Sequence, residues 1–183
     1  DAPRLGEAFV LNAAGETPVA GVAPGSVISI YGTNLAGTVL AGPENPLSQT
    51  LGGVTVRVGE RFLPLYFVSP EQVNAQLPPD LEPGAQRIAV RWEGKPEVAG
   101  SFEVVRHAPG LFQQVMEDRA YGAFARADGS AIAAGSPARR GEVVTLYGTG
   151  FGPYDPAPPA GFAAPADPLC RLLVPVVLMA GES

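Results

Sequence analysis

The sequence has one cysteine, Cys170, so no disulfide can close within the chain. It has one histidine, His107, and zinc sites need several Cys or His ligands, so one of each is too few. A Ser-His-Asp arrangement would have to use that same histidine, yet no Gly-x-Ser-x-Gly elbow is present to offer a serine. Lysine is nearly missing: Lys95 is alone, and among the arginines only Arg139 and Arg140 are adjacent. With charged residues at 16% and a net charge of −6, the clustered positive surface that nucleic acid requires is lacking. No apolar run approaches the roughly 18 residues of a membrane-spanning helix, and the longest, Leu172 to Ala180, is too short. No Asn-x-Ser/Thr sequon occurs. No signal peptide is visible, and Asp1-Ala2-Pro3 fits either a mature start after cleavage or an arbitrary first residue.

What is abundant is punctuation. Glycine (23) and proline (20) together approach a quarter of the 183 residues, and short Val/Ile/Leu runs separate them. That pattern predicts an all-β chain with many turns. One phrase is written twice. Pro24-Gly25-Ser26-Val27-Ile28-Ser29-Ile30-Tyr31-Gly32-Thr33-Asn34-Leu35 returns as Arg140-Gly141-Glu142-Val143-Val144-Thr145-Leu146-Tyr147-Gly148-Thr149-Gly150-Phe151. The offset is 116 residues throughout (141 − 25 and 148 − 32), too long for a solenoid unit and suited to two tandem domains. Alternation puts Ile28, Ile30, Val144 and Leu146 toward a core, and Ser29 and Thr145 away from it. Gly32 and Gly148 would permit a sharp exit, Asn34 and Gly150 tolerate a left-handed backbone, and Leu35 and Phe151 follow as apolar plugs.

Taken in order, Ala8 to Asn12 predicts a first strand, and Gly37 to Thr50 a turn-rich excursion. Val54, Val56 and Val58 alternate with Thr55 and Arg57 in a half-buried strand. Phe62 to Val68 is apolar on both faces, with Pro64 directing it to an edge or a bulge. Ser69-Pro70-Glu71-Gln72 has the pattern of a capping box and predicts one helical turn. Val73, Ala75 and Leu77 form the buried face of a further strand; Ile88, Val90 and Trp92, then Phe102 and Val104, continue the alternation. About seven strands before residue 107 match the number in an immunoglobulin-like sandwich. His107 to Phe112 reads as a short linker stiffened by Pro109, dividing the chain into domains 1–107 and 108–183. In the second, Tyr121 to Ala127 takes the place of the first strand, with Asp128 at the position of Asn12. A loop with six prolines follows, Gly152 to Pro168. Leu172 to Ala180 then corresponds to the Val54 strand, with Val176, Leu178 and Ala180 inward and Val177 and Met179 outward.

The segments PGSVISIYGTNL, LGGVTVRVGE, LPLYFVSPEQVNAQLP and HAPGLF, in that order, closely resemble an uncharacterised C-terminal domain family of secreted acidobacterial proteins. The resemblance covers nearly the whole chain, and SPEQVNAQLP is its most specific part. It implies two tandem IPT/TIG immunoglobulin-like β-sandwiches, a secreted or cell-envelope location, and no assigned catalytic residues or cofactor. Against that family pattern the second copy lacks its last strands, so the expectation is a fragment of a longer chain or a partner that supplies them.

Other readings carry less. Gly148-Thr149-Gly150-Phe151-Gly152 could be taken for a dinucleotide loop, but Pro153-Tyr154-Asp155-Pro156 follows where a helix N-terminus would have to stand. Glu117, Asp118 and Asp128 lack the spacing of a calcium loop. A glycosidase pair could come from dispersed carboxylates, and nothing in the sequence brings two together. Exposed aromatics would suit a carbohydrate platform: Tyr31 and Tyr147 lie on the Ser/Thr side of their strands, with Tyr66, Tyr121 and Tyr154 scattered, whereas Trp92 shares a face with Ile88 and Val90. The strongest functional signal is Leu172, Leu173, Val177 and Met179, a strand apolar on both faces that would leave an open edge for a protein partner or a second copy. The function expected is therefore a non-enzymatic extracellular spacer, adhesion or assembly module, with carbohydrate binding as the alternative.

Overall fold

A computed structural model describes residues 1–15, 21–42, 45–116, 119–165 and 167–178. The described residues are all-β and contain no helix. The first part is a sandwich of two antiparallel sheets, the architecture of an immunoglobulin-like domain. One sheet runs in the order β1 (Arg4–Asn12), β2 (Val27–Thr33), β7 (Gln72–Gln76), β6 (Leu65–Val68), β3 (Leu40–Ala41). The other runs β5 (Arg61–Phe62), β4 (Val54–Val58), β8 (Gly84–Trp92), β9 (Val98–Val104). Nine strands thus precede residue 107, against about seven expected, because the two short strands β3 and β5 had no pattern of their own.

Period-two alternation builds the core. Val54, Val56 and Val58 from one sheet meet Ile28, Ile30, Val73, Ala75 and Leu77 from the other, all buried, with Leu35 closing one end. Trp92 is half-buried and packs against this cluster. Asn34 holds φ +56°, the left-handed geometry its amide side chain tolerates, and Gly150 holds +82°.

Three local expectations are corrected. Ser69 starts a hairpin turn rather than a helix: its N–H donates to Gln72 O (2.7 Å), while Gln72 N donates to its hydroxyl (3.0 Å). The serine makes the bond an N-cap makes, but β6 and β7 pair on either side and leave no chain to propagate a helix. Phe62 to Val68 is two strands, because the chain crosses from one sheet to the other at Leu63-Pro64. Both faces are apolar because successive residues serve different sheets. Gly32 and Gly148, expected to permit a sharp exit, lie within strands β2 and β15 (Gly148–Thr149). They are points of close approach, where a Cβ would collide with the carbonyl oxygens of Arg4 and Gly110 respectively.

Beyond Val104 the described residues form four two-stranded pairs. His107 to Phe112 is not merely a linker: β10 (Gly110–Leu111) pairs with β15 (Gly148–Thr149). Further along, β13 (Phe124–Ala125) pairs with β14 (Thr145–Leu146). Between these pairings the chain makes a hairpin, β11 (Gln113–Met116) with β12 (Arg119–Gly122), closed at its base by Ala123 N donating to Phe112 O (2.7 Å). In the first copy, β1 pairs with β2 at Leu5 and again at Val10, with a register shift between them. The hairpin occupies the place of that bulge. Phe124 pairs with Leu146 as Val10 pairs with Ile30, so the first strands align at an offset of 114 (124 − 10). Arg126 therefore stands at the position of Asn12, not Asp128, and the expected alignment slipped by two residues.

The two parts are joined by buried polar contacts. Asn12 is buried; its Nδ2 donates to Ala108 O (2.6 Å) and its Oδ1 accepts from Ala14 N (2.8 Å). Val27 N donates to the buried Thr149 Oγ1 (3.0 Å), and Gly161 N donates to Gln76 Oε1 (2.7 Å). Asn12→Ala leaves two buried backbone groups without these partners and should cost about 1–3 kcal/mol, read from the midpoint of urea unfolding. An unchanged midpoint would mean that Asn12 does not couple the parts.

Candidate functional site

The second copy of the phrase keeps the local geometry of the first but not its surroundings. Gly148 lies against Phe151 as Gly32 lies against Leu35, since a Cβ on either glycine would press on that side chain. Strand β2 is flanked on both sides, by β1 and by β7. Among the described residues, β14 (Thr145–Leu146) and β15 (Gly148–Thr149) have neighbours on one side only, β13 and β10 respectively. Tyr147 N donates to Ala123 O (3.1 Å) and Tyr147 O accepts from Phe112 N (3.0 Å). Hydrogen-bonding direction alternates along a strand, so the N–H and C=O of Val144 and Leu146 face the other, unpaired side. In the first copy the equivalent edge is filled: Gly32 N donates to Glu71 O (3.0 Å) and Leu35 N to Pro70 O (2.9 Å).

The core residues of the two copies differ accordingly. Ile28, Ile30 and Leu35 are fully buried. Val144, Leu146 and Phe151, expected as their counterparts, are only half-buried, and Val143 is 84% exposed. Among the described residues beyond Val104, Ala108 and Ala125 are the apolar side chains that reach full burial. Alternation survives in the second copy, but among the described residues no second sheet closes over it.

The strand expected from Leu172 to Ala180 is mostly not one. Only β17 (Arg171–Leu172) pairs, with β16 (Tyr154–Asp155), and Leu173 N donates to Pro153 O (3.0 Å). Leu172 is exposed, Leu173 is 62% exposed and Val177 82%. Val176 and Leu178, expected inward, are exposed as well. Pro175 interrupts the run and cannot donate to a ladder. Met179 and Ala180 lie outside the described residues.

A groove missed by sequence reasoning lies where the parts meet. It has a volume of about 440 Å³ and is lined by Ser29, Tyr31, Gln72 and Asn74 with Phe112 and Gln113 from the second part. Gln72 Nε2 donates to Asn74 Oδ1 (2.8 Å) and to Ser29 Oγ (3.4 Å). Ser29, expected to face away from the core, is buried there. Its only sequence signal was a row of short polar residues on one strand face. Tyr31 is 40% exposed and Tyr147 51% exposed, but Tyr147 is not part of the groove. Tyr154 is half-buried, and burial pushes its phenol above the usual range, with Cys170 and Tyr66 adding to the shift.

Several acidic groups are engaged in the scaffold. Arg57 holds Glu97 through a paired contact (2.8 and 3.2 Å) that lowers the carboxyl below its usual range. Glu142 accepts from Arg139 N (2.7 Å) and Arg126 Nε (2.9 Å), and Asp128 accepts from Ser130 N (2.9 Å); both are lowered. His107 is exposed and Gly152 abuts its ring. Among the described residues no three His, Cys, Asp or Glu side chains gather where a metal ion could sit. Glu117 and Asp118 lie outside the described residues. No helix there is long and apolar enough to cross a membrane. Comparison of the chain with family models, curated proteins and solved structures finds no match.

Proposed function

We propose that this chain is a non-catalytic extracellular or cell-surface module, two copies of an IPT/TIG-like sandwich plan acting as a spacer or assembly unit through protein–protein contacts. The observation that carries the reading is the apolar segment Leu172 to Leu178, exposed residue after residue beside a half-covered second copy. Contiguous exposed apolar surface of this kind marks an interaction site. Light scattering across a concentration series is the test. The wild-type chain should associate, and a Leu173→Asp/Val177→Asp double variant should shift the association midpoint at least about tenfold upward, as two desolvated charges would require. A wild-type chain that stays monomeric and binds no hydrophobic dye would remove the reading.

A second reading, a carbohydrate-binding module, is favoured by the groove at Tyr31. Its lining holds amides, two hydroxyls and two aromatic rings but no charged side chain. Such a lining suits a neutral polyhydroxylated ligand, with a ring face for stacking and amides for hydroxyl pairs. A glycan array on which wild type and Tyr31→Ala give the same signal would dismiss it.

A further inference from the structure

We infer that the unpaired edge of β14 and β15, together with residues 143–144 that precede them, is an acceptor for one added β-strand, and that the strand it takes has the pattern of β7, an extended segment with small or β-branched apolar residues at alternate positions. This rests on the interaction-module reading and names the partner's chemistry. The internal repeat supplies the template. In the first copy Val27 pairs with Gln76, Ile28 with Ala75, Ser29 with Asn74, Ile30 with Val73 and Tyr31 with Gln72. Shifting each acceptor by 116 residues puts Val143, Val144, Thr145, Leu146 and Tyr147 opposite the same five donor positions.

The edge is prepared for this in three ways. The backbone groups of Val144 and Leu146 face the open side, as the bonds made by Tyr147 on the other side require. Gly148 and Phe151 repeat the glycine and apolar anchor whose first-copy counterparts, Gly32 and Leu35, donate to Glu71 O and Pro70 O at the start of the donor segment. The half-buried Val144 and Leu146 side chains would gain apolar neighbours from a strand whose inward positions match Val73 and Ala75. Main-chain bonds would supply much of the affinity and the alternating side chains the register.

The direct experiment uses the full chain and a labelled peptide of the β7 segment, SPEQVNAQLP. A control peptide exchanges Val73 with Asn74 and Ala75 with Gln76, which turns its apolar residues to the other face. The native-order peptide should bind at least about tenfold more tightly than the control, because a one-residue slip reverses every side chain. A photoreactive group at the Ala75 position should label Val144 and its neighbours. Val144→Pro, which removes an edge donor without touching the β13 ladder, should abolish binding, and the peptide pair tests the register without altering the protein. Equal binding of the two peptides, no binding, or labelling at Ile28 or along Leu172 to Leu178 would overturn the inference. Self-association through Leu172 to Leu178 with no preference between peptides would overturn this inference while leaving the proposed function standing.

Discussion

Ile30→Ala is expected to lower stability by about 2–5 kcal/mol, whereas Leu146→Ala, at the equivalent position of the second copy, should cost less than about 1 kcal/mol. Both residues follow a Ser or Thr and precede Tyr-Gly-Thr, and both point to the same side of their strands. Ile30 is fully enclosed between the two sheets, so truncating it leaves a cavity that close-packed neighbours cannot fill. Leu146 is half-buried with no sheet across from it among the described residues, so water can take the place of the removed atoms. Calorimetry on each variant is the check, because it registers both parts of the chain. Equal losses would mean that the second copy closes a core of its own in solution. Adding the β7-like peptide should raise the cost of Leu146→Ala and leave that of Ile30→Ala unchanged.

Gly32→Ala should be among the most damaging single-methyl changes, costing about 1–3 kcal/mol or more as an overpacked site with little room to relax. The new Cβ would meet the carbonyl oxygen of Arg4 and come within 3.0 Å of Leu35 Cδ2. Neither yields easily, since Arg4 pairs with Thr33 in the β1–β2 ladder and Leu35 is fully buried. The strand must separate from β1 or the Leu35 anchor must leave the core. Gly148→Ala should act on the second part in the same way, with Gly110 O at 2.5 Å and the Phe151 ring at 2.6 Å from the added carbon. Gly135→Ala, where a Cβ meets nothing within 4 Å, is the neutral control. Hydrogen exchange at the Arg4 and Thr33 amides, which pair in the β1–β2 ladder, gives the readout. Full protection in Gly32→Ala would show that β1 can shift to make room.

Much of the first sandwich was legible because its signals are local. Val54-Thr55-Val56-Arg57-Val58 and Val73-Asn74-Ala75-Gln76-Leu77 are strands with one wet and one dry side, and alternation alone identifies their buried residues. Asn34 revealed its backbone geometry through residue type. The errors arose where one local pattern serves two structures. Ser69 makes the same hydroxyl bond in a hairpin turn as at a helix start, and only the pairing of β6 with β7 decides between them. An apolar run such as Phe62 to Val68 is the same string whether it is one buried strand or a crossing between sheets. The candidate site was half legible. The exposure of Leu172, Leu173 and Val177 was expected from a strand apolar on both faces, but only Arg171–Leu172 of that segment is strand and the residues expected inward are exposed too, whereas the Tyr31 groove requires Phe112 to be brought across from another part of the chain.

By itself the sequence determined the all-β class, the duplication, and the side of each strand on which the apolar residues stand, since all three follow from residue type and short spacing. Tertiary structure alone decided what covers each side. Ser29 and Thr145 occupy the same place in the same phrase, yet one is buried in a groove that Phe112 and Gln113 help to line and the other is exposed. The physical reason is that side-chain direction is set by the pleat of a single strand, whereas burial is set by whichever distant segment packs against it.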